Sequence, residues 1–142
     1  MPASIDPSAL ANALTRIGDR WTLLVVDALL DGPRRFNDLQ ADLVGVATNV
    51  LSQRLKHLEA ERVVVARPYQ QRPLRFAYEL TAAGRELGGV LRLLAQWGAD
   101  HGSEISDATE HAACGTVLEA HWYCPTCDAV IDDDDIGRLP YF

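Results

Sequence analysis

The chain has 142 residues, 48% of them hydrophobic and 23% charged, which sizes it as one globular domain with a short appendage and excludes a disordered chain. Its longest apolar runs are four residues (23–26 and 63–66), far short of the roughly 20 of a membrane span; the opening residues lack the basic and apolar regions of a secretory signal; and three cysteines cannot form a disulfide framework, so a reducing cytoplasm is the expected setting. The net charge of -7 is split, with residues 1–99 at +2 and residues 100–142 at -9, and eight basic side chains face four acids within 34–75, so any nucleic-acid contact belongs to the middle of the chain.

Asp6-Pro7 reads as a helix cap and first helical position, with Leu10, Leu14 and Ile17 following at helical spacing. Gly18 ends that helix and Asp19 caps the next, whose core, residues 21–30, is apolar nearly all round and suits a buried central helix. Asp31-Gly32-Pro33 stops it. Phe36, Leu39 and Leu43 mark a short third helix, and after a tight connection at 44–47, Thr48 caps a fourth that runs to about residue 62. Two helices joined by a short glycine-containing turn make the helix-turn-helix pattern.

Residues 63–67 are rich in β-branched side chains, and residues 75–80 alternate polar and apolar, placing Phe76, Tyr78 and Leu80 on one face. Together they predict a two-stranded hairpin with a basic tip flanked by Pro68 and Pro73. Thr81 caps a long final helix with an apolar stripe of Leu87, Val90, Leu91, Leu94 and Trp97. The composition changes at residues 101–103, and the boundary expected from it separates residues 1–102 from an acidic, cysteine-bearing tail, 103–142.

On the fourth helix, Leu51, Leu55 and Leu58 fall in one arc and must face the core. The opposite arc carries Asn49, Ser52, Gln53 and Lys56, with Arg54 on the flank; together with Thr48 at the helix start, these are the residues expected to face DNA. Amide side chains donate and accept together at adenine, while Arg and Lys reach guanine or phosphate, so this face suits a major groove. Any solvated helix also turns polar residues outward. The hairpin adds to the case, because Arg67, Arg72 and Arg75 surround its tip directly after the helix, placed to lay cations on the backbone or in the minor groove. Arg34 and Arg35 add two more phosphate-reaching cations. The expected architecture is α+β and mostly helical: a winged helix-turn-helix with a long dimerisation helix and a small zinc-ribbon-like tail.

Residues 8–100 resemble the HxlR-type branch of the MarR-like winged-helix transcription regulators. The resemblance is carried by residues 17–24 (IGDRWTLL), 31–39 (DGPRRFNDL), 50–55 (VLSQRL) and 78–85 (YELTAAGR). It implies a cytoplasmic, DNA-binding homodimer whose terminal helices form the dimer interface. Ser8 stands where many relatives have a cysteine, which removes a thiol switch at that position, and Arg20 replaces the usual lysine before Trp21. The apolar stripes point to dimerisation independently, with Leu10, Leu14 and Ile17 facing Leu87, Val90, Leu91, Leu94 and Trp97 of the final helix. The expected partner is then double-stranded DNA carrying a palindromic operator, with half-sites about one helical turn apart. The sequence nominates no effector ligand, and no membrane partner.

The tail holds His111, Cys114, Cys124 and Cys127, spaced as two short pairs separated by nine residues. That spacing suits a small structural zinc site, with His121 as a competing fourth ligand; redox-active thiols and inert cysteines are the alternatives. A second functional reading is a protein-interaction adaptor that docks a partner through this acidic tail. No phosphate-binding glycine motif or nucleophile triad suggests an enzyme.

Overall fold

In the computed structural model, which describes residues 8–102 and 108–137, the first two helices begin at side-chain caps. Helix α1 (Ala9–Ile17) starts at Ser8, whose hydroxyl accepts from the Ala11 N–H at 3.0 Å, while the expected Asp6-Pro7 cap lies outside the described residues. Helix α2 (Arg20–Leu29) starts at Asp19, whose Oδ1 accepts from the N–H groups of Trp21 and Thr22 at 3.0 and 3.2 Å. Its buried face is Thr22, Val25, Val26 and Leu29. Leu24 remains 37% exposed, so α2 is one-sided rather than buried all round as its composition suggests.

After Gly32, which sits at φ +132°, a two-residue strand β1 (Arg34–Arg35) precedes α3 (Phe36–Asp42). The sequence gives β1 no signal of its own, because two arginines have no periodicity. Helix α4 (Thr48–Ala60) is capped at Ala47 and not at Thr48. Thr48 is the first helical residue, and its hydroxyl oxygen accepts from Gln40 Nε2 at 2.6 Å, tying the two helices of the motif together. Helix α4 ends where Arg62 adopts a left-handed φ of 59°.

Strands β2 (Val64–Gln71) and β3 (Leu74–Leu80) form the expected hairpin, longer than predicted at its tip. They pair antiparallel from Val64↔Leu80 to Gln71↔Leu74, with Arg72 and Pro73 joined by a cis peptide at the turn. The sheet order is β1-β3-β2, and β1 docks Arg34 opposite Tyr78 and Arg35 opposite Ala77. Pro68 is tolerated because β2 is an edge strand with an irregularity between Pro68 and Gln70. Thr81 caps α5 (Ala82–Arg85) by accepting from the Gly84 N–H, and a break at Glu86 separates it from α6 (Leu87–Asp100), dividing the single helix expected there.

The core of the winged helix gathers α2, α3, α4 and the base of the hairpin. Val25, Val26, Leu39, Leu51, Leu55 and Leu58 are each no more than 2% exposed, joined by Leu29, Val63, Val64, Leu80 and Leu91. Each such side chain contributes roughly 1.5–3 kcal/mol of transfer free energy. Two compact units are distinguished, with the boundary at residues 92/93 inside α6 rather than at 102/103. The second unit holds a small hairpin, β4 (Trp122–Cys124) and β5 (Ala129–Ile131), an isolated bridge Glu110↔Val117, and a 3-10 turn at Asp133–Asp135. Among the described residues no helix is long and apolar enough to cross a membrane.

The packing explains one glycine outright. A Cβ on Gly84 would stand 2.3 Å from the Val63 carbonyl oxygen, so α5 can approach the start of the hairpin only without a side chain there. Gly84→Ala therefore costs about 1–3 kcal/mol in urea unfolding, a typical overpacking penalty. An unchanged midpoint would contradict this close approach.

Candidate nucleic-acid interface

The roll of α4 about its axis decides which side chains it presents. Leu51, Leu55 and Leu58 are at 0%, 2% and 0% exposure, so the helix cannot rotate without exposing one of them. The opposite side then presents Asn49, Gln53 and Lys56 as exposed residues, with Ser52 half-buried beside them, while Thr48 is exposed at the helix start. Of the predicted groove-facing residues, Asn49, Ser52, Gln53 and Lys56 share one face, whereas Thr48 lies toward the Leu55 side with its hydroxyl on Gln40 of α3.

Arg54 departs from that prediction. It is half-buried and its Nε lies 3.0 Å from Asp19 Oδ1, near enough to pair with the carboxylate although off the line of a hydrogen bond. The same carboxylate caps α2. Arg54 thus ties α4 to α2 instead of reaching outward, and its position on the flank of the polar arc is the feature that made it look available. His57, on the other flank, places Nε2 2.5 Å from the Arg16 carbonyl oxygen and links α4 to α1.

The predicted phosphate-contacting cations separate into two sets. Arg34 lies 3.7 Å from Asp42, and Arg67 pairs with Glu79. The Arg35 guanidinium lies over the Tyr69 ring at 4.4 Å from its centroid, a contact the sequence reading missed because nothing local links residue 35 to residue 69; only their strands' shared sheet does. No ion pair among the described residues engages Lys56, Arg72 or Arg75. Those three are exposed, on α4 and on both sides of the wing tip.

A cleft of ≈ 270 Å³ runs between α4 and the wing, with Ser52, Lys56, Glu59 and Tyr78 among its walls. Burial first, and the Glu59 charge second, push the Tyr78 phenol above its ordinary range, so it stays neutral and available as a donor. A wider hollow of ≈ 510 Å³ shares Phe76 and Tyr78 with that cleft and has Arg35, Asn37, Tyr69 and Arg75 among its other walls.

The predicted dimer residues also divide. Leu91 is 8% exposed and belongs to the chain's own core, with Ile17 and Leu87 packed against it. Leu10, Leu14, Val90, Leu94 and Trp97 remain 52–69% exposed. Leu93, absent from the expected stripe, is exposed on the same side of α6 as Val90 and Trp97, at i+3 and i-4. Trp97 stacks on His101 at 4.9 Å between ring centroids.

In the tail, His111 Nδ1 lies 3.2 Å from Cys114 Sγ, and Cys127 hydrogen-bonds Cys124 through backbone and side chain. All three cysteines are free thiols. Hydrogen bonds between the Cys114 thiol and the Thr116 side chain and backbone lower its pKa, and those with Cys127 and Thr126 lower that of Cys124. His121 is held by Glu119 at 3.0 Å. Among the described residues no three His, Cys, Asp or Glu side chains are grouped to hold a metal.

Comparison with known proteins places this geometry. The profile described as HxlR-like helix-turn-helix matches residues 16–106. The uncharacterized HTH-type transcriptional regulator Rv3095 of Mycobacterium tuberculosis is 34% identical over 140 residues, covering 95% of this chain and 87% of that protein. The HTH-type transcriptional regulator YodB of Bacillus subtilis is 31% identical over 98 residues, 69% of this chain and 87% of that one. Among solved structures, PA1607, named as a candidate transcription factor, superposes with a TM-score of 0.78 at 28% identity over 94% of this chain and 95% of its own. The reduced form of the redox regulator HypR gives 0.62 at 29% identity over 66% and 92%.

The Asp19–Arg54 pairing is measurable apart from any ligand. Arg54→Ala lowers unfolding free energy by about 0.2–1 kcal/mol, as partly exposed pairs do. Asp19→Ala loses the α2 cap as well and costs about 0.5–2 kcal/mol. A double-mutant cycle by urea denaturation returns a favourable coupling between them, and strictly additive losses would contradict the pairing.

Proposed function

Because the chain belongs to the HxlR-like helix-turn-helix family, whose members here are transcriptional regulators and not enzymes, we propose that it is a sequence-specific DNA-binding repressor acting as a homodimer. The observation that carries this reading is the exposed face of α4, where amides and hydroxyls stand opposite a fully buried leucine stripe. Asn49 and Gln53 have the donor-acceptor pairs that match adenine in the major groove, and the Ser52 hydroxyl can donate or accept at a base edge, while Thr48 is engaged by Gln40. Lys56, Arg72 and Arg75 position the protein on phosphates, because no ion pair among the described residues engages them. Arg34, Arg35 and Arg67 set the base of the wing, and they contribute to the positive field more than to individual contacts.

Two copies follow from the exposed apolar residues of α1 and α6. Val90, Leu93, Leu94 and Trp97 form a row about two turns long, which a second copy of the same row would cover in a two-fold dimer. A two-fold protein reads a two-fold site, so the operator is a palindrome with half-sites about one helical turn apart, 34–36 Å.

Gln53→Ala removes about 1–3 kcal/mol of discrimination between the preferred operator and a scrambled duplex, while Arg72→Ala weakens both duplexes alike and lowers the salt slope by about one. Fluorescence anisotropy across a salt series separates the two, and the reverse assignment of effects would refute this division of labour. Leu94→Glu yields a monomer by light scattering and loses binding to the palindrome. A dimer that survives this substitution would place the interface elsewhere.

A further inference from the structure

The tail has order without a core. Among the described residues of 108–137 none is buried, and only Thr109, Cys124 and Ile131 are even partly so. Trp122, Tyr123, Val117, Leu118 and Val130 are 52–66% exposed. A segment this small that buries so little cannot offset its own chain entropy by hydrophobic burial, and such units are ordinarily held by a cross-link or a metal. The cysteines here are free thiols.

We infer that residues 108–137 form a metal-binding unit that takes one zinc-type ion on His111, Cys114, Cys124 and Cys127. The two turns that carry these residues share one design. In each, two ligand-type side chains are separated by two residues, and the residue directly after the second has a left-handed φ: 70° at Gly115 and 52° at Asp128. Each turn closes a small antiparallel pair, the Glu110↔Val117 bridge in one and Cys124↔Ala129 in the other. Each also turns backbone N–H groups toward sulfur, from Thr116 to Cys114 and from Thr126 and Cys127 to Cys124.

The fourth ligand is His111 rather than His121. His111 already faces Cys114 across its turn, whereas His121 is taken by Glu119. One imidazole and three thiolates make a donor set that zinc fills tetrahedrally with no open position, which is structural rather than catalytic. The two pairs stand as separate halves, since no three of these side chains are grouped among the described residues. Binding therefore closes one turn onto the other and is coupled to ordering of the unit.

The test uses the full chain, purified under reducing conditions and equilibrated with zinc alone. Elemental analysis finds about one zinc per chain, and zinc protects residues 108–137 from limited proteolysis. Cys114→Ser and Cys124→Ser abolish both effects, and His111→Ala weakens zinc affinity by more than about a hundredfold, beyond the loss an outer-shell partner causes. His121→Ala leaves binding unchanged, and the winged helix of every variant keeps its thermal transition. Zinc well below stoichiometry, undiminished binding in Cys114→Ser, or a zinc-free chain lighter by the two hydrogens of a Cys124–Cys127 disulfide would each overturn the inference.

Discussion

The burial of three leucines on α4 is the constraint from which the functional surface follows. Leu51, Leu55 and Leu58 lie four and three residues apart, so they form one stripe, and their near-complete burial against α2 and α3 fixes the roll of the helix. Once that roll is set, Asn49, Gln53 and Lys56 have nowhere to point but outward. Rotating the helix by one residue, about 100°, would expose a leucine at roughly 1.5–3 kcal/mol and bury an amide or an ammonium at greater cost. The surface offered to DNA is in this sense a by-product of the core.

Polar tethers hold the rest of the frame to that helix. Asp19 caps α2 and pairs with Arg54, His57 reaches the end of α1, Gln40 binds Thr48, and the Thr81 hydroxyl donates to the Arg62 carbonyl where α4 gives way to the hairpin. Each is individually modest; the first three join α2, α1 and α3 to α4, and the last fastens the chain just past its end. The cations used this way, Arg54 on the helix and Arg67 on the wing, are therefore frame, while Lys56, Arg72 and Arg75 are left at the surface with their charge available. Charge counting along the sequence cannot make that separation, because it depends on which carboxylates the fold brings near.

Much of the winged helix was legible because periodicity and capping agree. The α4 stripe, the Asp19 cap, the alternation of Phe76, Tyr78 and Leu80, and the break at Gly18 are local signals, and they mark elements that are present. What was not legible is non-local. Strand β1 exists only because β3 is there to pair with it, Arg35 meets Tyr69 across the sheet, and Leu91 is drawn into the core although it shares a stripe with exposed neighbours. The caps at Ser8 and Ala47 differ from those expected, since a cap depends on where the chain turns in as well as on which hydroxyl is near. In the tail, the spacing of His111, Cys114, Cys124 and Cys127 was readable, but the matching left-handed residues Gly115 and Asp128 show only in the backbone.

The two units differ in what holds them: the winged helix buries leucine and valine, whereas the tail is built of short turns with little burial, the feature from which its metal site is proposed. The central claim concerns the first, that the outward face of α4 reads sequence. Selection of a random duplex library by the full chain tests it most directly, run in parallel with an Asn49→Ala, Gln53→Ala double variant. The account predicts that the native chain enriches a two-fold-symmetric motif with half-sites about one helical turn apart, and that the variant enriches none although it still binds DNA through Arg72 and Arg75. The same motif recovered by both chains, or no motif from the native one, would contradict it.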